Sequence, residues 1–75
     1  MARPEKHSLT LAGHRTSVSL EPEFWACFRQ IAAEKDIPIN ALAAAIDADR
    51  GVERGLASAI RVFVLGHYMA RAKAE

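Results

Sequence analysis

Residues 15–20, Arg15-Thr16-Ser17-Val18-Ser19-Leu20, alternate as only an extended strand does. Thr16, Val18 and Leu20 fall on one side, and Arg15, Ser17 and Ser19 on the other. Everything downstream reads as helix, so this strand has no partner of its own length in the chain. An unpaired strand leaves a row of N–H and C=O groups without bonds, which is costly and prone to aggregation. The simplest remedy is the same strand from a second copy, paired antiparallel across a two-fold axis.

Size points the same way. A chain of 75 residues is one small domain that buries a modest share of its surface, so association is an expected source of stability. Apolar residues make up 51%, which excludes a disordered tail, and charged residues 25%. The single cysteine, Cys27, cannot form an internal disulfide. No apolar run approaches the roughly 18 residues of a membrane span, and residues 1–6 lack the apolar core of a signal peptide. A cytoplasmic location is expected.

The net charge of +1 is weak for a nucleic-acid binder, but its distribution is uneven. Residues 1–20 hold Arg3, Lys6 and Arg15 against Glu5 alone, with His7 and His14 besides. Two copies would concentrate these cations on one surface. Residues 1–7 read as a flexible polar arm and residues 8–75 as the domain. Ser8-Leu9-Thr10-Leu11 reads as an accessory extended piece, because the join at Ala12-Gly13-His14 lacks the favoured two-residue turn chemistry.

Three helices follow. Pro22 fits a first helical position, with Glu21 and Glu23 at the positive end of the helix dipole. Phe24, Cys27, Phe28 and Ile31 make its apolar stripe, beside which lies Trp25, and Asp36-Ile37-Pro38 ends it. The second helix runs from Pro38 or Ile39 to Asp49, with Leu42 and Ile46 as a narrow apolar stripe. Either Pro38 is its first residue or Asn40 caps it, and Gly51 is expected as a left-handed terminator. Val52-Glu53-Arg54-Gly55 forms a turn. The third helix spans about 56–72, where Leu56, Ala59, Ile60, Phe63, Val64 and His67 share a stripe widened by Val62, Leu65 and Met69. A helix that apolar needs cover on most sides, and a partner subunit supplies it.

No catalytic set emerges. Asp47 and Asp49 are two apart on a helix and point to different sides, and no glycine-rich phosphate loop is present. His7 and His14 have no companion ligands, so no metal site is expected. Neither is a cofactor or a small-molecule ligand. Cys27 and His67 read as packed side chains, and Trp25 and Tyr68 as packing residues.

The order of strand, helix, four-residue turn and helix resembles the ribbon–helix–helix DNA-binding family of the Arc, MetJ and CopG type. The matching residues are Arg15-x-Ser17-Val18-Ser19-Leu20, Glu21-Pro22-Glu23, Ile31-Ala32 and Ile37-Pro38-Ile39-Asn40-Ala41-Leu42, covering residues 15–49. The third helix looks like that of a bacterial subgroup with an added C-terminal helix. The resemblance implies a mostly α fold: one N-terminal strand paired between the subunits of a homodimer, then three helices.

It further implies a two-stranded ribbon in the DNA major groove, with Arg15, Ser17 and Ser19 at base-reading positions. Backbone amides at Ile39 and Asn40 would meet a phosphate, as a helix N-terminus readily does. Arg3, Lys6 and His14 are the further expected phosphate contacts. Thr16, Val18, Leu20, Phe28, Ile31, Leu42, Ile46, Ile60, Phe63 and Val64 are the expected dimer core. Double-stranded DNA and a second copy are then the partners, with higher order on DNA allowed, and a nucleoid-associated repressor is the expected role. The alternative is a protein-interaction module, antitoxin-like or an adaptor. Leu56–Ala72 is too regularly apolar for the disordered tail such antitoxins carry.

Overall fold

The computed structural model describes residues 3–74. Two strands, β1 (Glu5–Leu11) and β2 (His14–Leu20), are followed by three helices, α1 (Pro22–Glu34), α2 (Ile39–Asp49) and α3 (Leu56–Ala74). β1 and β2 form a two-stranded antiparallel sheet whose register runs from Glu5 opposite Leu20 to Leu11 opposite His14. The strand over 14–20 therefore finds one partner inside its own chain. Of the arm expected over residues 1–7, Glu5, Lys6 and His7 are ladder residues of β1, and residues 1 and 2 lie outside the described residues.

The join is a two-residue turn after all. Ala12 takes φ 51° and Gly13 φ 85°. Two successive left-handed residues match the twist of a hairpin, and Asn or Gly normally fills such positions. Ala12 adopts the conformation without that preference.

Alternation decides what each strand buries. Leu9 and Leu11 on β1, and Val18 and Leu20 on β2, lie against the helices with at most 8% of their surface exposed. They join Phe28, Ile31 and Ala32 of α1, Leu42, Ala43 and Ile46 of α2, and Ala59, Ile60 and Val64 of α3 in one cluster. Complete burial of a side chain such as Phe28 or Ile60 contributes about 1.5–3 kcal/mol.

The helix ends follow local chemistry. Pro22 opens α1, and Lys35 and Asp36 close it. Asp36 sits at φ 58°, with Asp36 N–H bonded to Ala33 O and Ile37 N–H to Ala32 O. This paired closure satisfies two carbonyls that the helix end would otherwise leave free. Pro38 is the residue before α2, so the first helical position is Ile39. At the far end Arg50 turns extended, while Gly51 is not left-handed as expected. The Arg50 guanidinium instead bonds Asp47 at 2.7 Å and the Arg54 carbonyl at 2.7 Å, fixing the turn into α3.

Candidate nucleic-acid interface

In the hairpin register Lys6 faces Ser19, Ser8 faces Ser17 and Thr10 faces Arg15. All six side chains project from the face opposite the core, and all are exposed. That face carries two cations, four hydroxyls and no carboxylate. Hydroxyls donate and accept, and cations attract phosphate and guanine acceptors, so the surface is chemically matched to a polyanion with polar base edges.

The two edges of the sheet differ. In an antiparallel ladder, alternate residues direct N–H and C=O toward the neighbouring strand or away from it. The Thr10 N–H donates to Asn40 Oδ1 at 3.0 Å, so Thr10 belongs to the set turned away from β2. Its partner Arg15, and with it Ser17 and Ser19, then turn their backbone groups to the far edge of β2. The Ser19 carbonyl accepts a bond from Arg61 Nη2 at 3.3 Å, as that phase requires. Hence β1 is tied to the start of α2, whereas β2 presents an open edge at Arg15 and Ser17.

Asn40 is exposed, and its side chain serves as a stitch between α2 and the ribbon. The first bond within α2 comes from Leu42 N–H to Pro38 O at 3.1 Å. The N–H groups of Ile39, Asn40 and Ala41 consequently point out of the helix end. The stitch holds this positive end beside β1.

The remaining expected residues separate into two groups. Arg3 and Lys6 are exposed on the N-terminal side of β1, Lys6 on the ribbon's outer face. His14 is exposed but stands beyond the turn on the inner side, where it lines a hollow with Leu11, Thr16, Ala44, Asp47 and Leu56. Val18, Leu20, Phe28, Ile31, Leu42, Ile46, Ile60 and Val64 are buried within this one chain, and Phe63 is half-buried. Thr16 has the inner phase, yet it is exposed, because among the described residues no element covers that part of β2.

Ser8 and Thr10 were missed as face residues. The signal was available in the alternation Lys6-Ser8-Thr10 against Leu9-Leu11, had it been extended through the polar start of the chain.

Beside the ribbon, Glu21 bonds Arg61 Nε at 2.8 Å, and this bond holds the Glu21 carboxyl below its ordinary range. The acid nearest the end of β2 is thus already neutralised. Trp25 stacks on His7 with ring centroids 3.8 Å apart, which anchors β1 to α1. The family model described as a ribbon-helix-helix domain matches residues 4–68. No curated protein and no solved structure matches the chain.

Proposed function

This chain belongs to the ribbon–helix–helix family of DNA-binding regulators, and from that premise we propose that it is a homodimeric, sequence-specific transcriptional repressor. The observation that carries this reading is the outer face of the hairpin, with Lys6, Ser8, Thr10, Arg15, Ser17 and Ser19 exposed and no acid among them. The dimer forms along the open edge of β2. A two-fold at Ser17 would set Arg15 opposite the copy's Ser19, bond the outward backbone groups of both strands, and cover Thr16 with the copy's Val18.

The resulting sheet has four strands. At about 4.8 Å between neighbours, its outer strands stand roughly 14 Å apart, more than the roughly 12 Å width of the major groove. Only the central pair enters the groove, so Arg15, Ser17 and Ser19 face base edges. The flanking β1 strands ride over the phosphate rows, which gives Lys6, and Arg3 just before it, a positioning role. The amides of Ile39, Asn40 and Ala41 add a phosphate contact at each flank. His14 lies off this face and contributes least. The role is binding rather than catalysis, and it belongs to the cytoplasmic nucleoid.

Genome-wide DNA capture with the purified protein supplies the operator, and a salt titration on matched and scrambled DNA then separates reading from positioning. Arg15→Ala should lose about 1–3 kcal/mol of base discrimination. Ser17→Ala and Ser19→Ala should lose less. Lys6→Ala should weaken binding to all sequences alike and lower the salt slope by about one. If a folded Arg15→Ala binds both DNAs as the wild type does, the ribbon is not the reading surface.

A further inference from the structure

Arg61 of α3 reaches the junction between β2 and α1 from 42 residues away in sequence. Its Nη2 donates to the Ser19 carbonyl at 3.3 Å and its Nε to Glu21 Oε1 at 2.8 Å. The guanidinium carbon stands 5.9 Å from the centre of the Phe24 ring. One planar group thus holds the last outward residue of β2, the residue before α1 and the first turn of that helix. A guanidinium presents its N–H groups in a rigid fork, so both bonds are met in one fixed orientation.

The contact singles out Ser19. Arg15, Ser17 and Ser19 all turn their backbone groups away from β1, yet among the described residues only the Ser19 carbonyl of these three has a bonded partner. Side-chain length makes the difference matter. Arg15 is long and meets a base edge by rotating its own side chain, whereas the Ser19 hydroxyl stands one carbon from the backbone and goes where the backbone puts it. A polar contact to a ligand needs placing to within about 0.5 Å. Leu20 is fully buried and fixes the chain from the core side, and Arg61 fixes the peptide between Ser19 and Leu20 from the edge.

We propose that Arg61 is a positioning residue for base reading: it aims the Ser19 hydroxyl by anchoring the Ser19 carbonyl, and so makes α3 part of the reading apparatus. The role rests on the DNA reading proposed above, in which Ser19 faces a base edge. It leaves the strand edge usable, because a carbonyl oxygen has two lone pairs and the bond from Arg61 occupies one.

The test uses the full chain and the operator obtained by genome-wide capture. Each operator base pair is replaced in turn, and comparison of wild type with Ser19→Ala identifies the pair that Ser19 reads. A single hydrogen bond gives about two- to twelvefold discrimination there. Glu21→Gln/Arg61→Met removes both charges together, so no carboxylate is bared beside the DNA, and methionine keeps an apolar stem near Phe24. This variant should lose the discrimination at that pair and keep it at the pair read by Arg15. Adding Ser19→Ala to it should cost nothing further there, since both changes remove one contact. Arg61→Lys keeps the charge without the fork, and should fold as the wild type does and lose the same step. Circular dichroism checks each fold, and Arg61→Lys decides alone if the double variant does not fold. Undiminished discrimination in either folded variant overturns the positioning role, and a loss spread evenly over all base pairs overturns it in favour of a structural brace. Failure of the DNA reading looks different: Ser19→Ala then loses no base pair, and the role of Arg61 falls with it.

Discussion

Closure of the hairpin inside one chain depends on two left-handed residues, and this makes Gly13→Ala a sharp test. Gly13 has φ 85°, and a Cβ built there meets nothing within 4 Å. The penalty is therefore confined to the backbone, about 1–2 kcal/mol for an L-residue in that region. For a domain of this size each kcal/mol lowers the melting temperature by about 4–8 °C, so Gly13→Ala should melt roughly 4–16 °C lower. Ala12, at φ 51°, bears a similar strain already. Ala12→Gly removes it at a cost of about 0.4–1 kcal/mol in unfolded-chain freedom, less than the strain relieved, so it should melt slightly higher. Ala12→Asn tolerates the left-handed region without that loss and should melt a few degrees higher.

The assay is thermal denaturation followed by circular dichroism at several protein concentrations. Because the turn is intramolecular, the order Ala12→Asn, wild type, Gly13→Ala should hold at each of them. If Gly13→Ala melts with the wild type, the strands are not joined by this turn.

Three further outcomes follow from the same structure. Val18→Pro removes a ladder donor opposite His7 and a side chain only 4% exposed, so it should abolish the cooperative melt; a retained transition means the pairing is misassigned. Asn40→Ala leaves the Thr10 N–H without its acceptor, and should cost about 0.5–1.5 kcal/mol in chemical denaturation while weakening binding to every DNA sequence alike. The Glu21 carboxyl is held below its ordinary value of 4.5 by Arg61, so its contribution is present above that pH and disappears as pH falls further. Arg61→Met should flatten the acid limb of a plot of melting temperature against pH, and an unchanged limb would show the pair to be inert.

Much of the helical part was legible because its signals are local. Pro22 opens α1 where proline belongs, Ile37-Pro38 separates α1 from α2, and the stripe Phe28-Ile31 is buried as its spacing requires. The hairpin was not legible for two physical reasons. Ala12 is not a residue that advertises a positive φ, and Glu5-Lys6-His7 are too polar to suggest a strand until His7 is seen stacked on Trp25. The outward phase of Arg15, Ser17 and Ser19 follows from alternation alone. Their companions Ser8 and Thr10 needed the register. The use of the Asn40 side chain was out of reach, since its partner lies 30 residues away and nothing local announces the bond.

That bond also limits how many copies a sheet can recruit. A strand with both edges exposed is a template at either side, and sheets built from such strands extend without end. In this chain a newcomer at β1 would have to displace Asn40 from the Thr10 amide and push aside the start of α2. Addition is left to β2, and once two copies join there, each remaining edge is a β1. If two copies pair there as proposed, the count stops at four strands from two chains, and the open strand that finds its twin does not thereby seed a fibre.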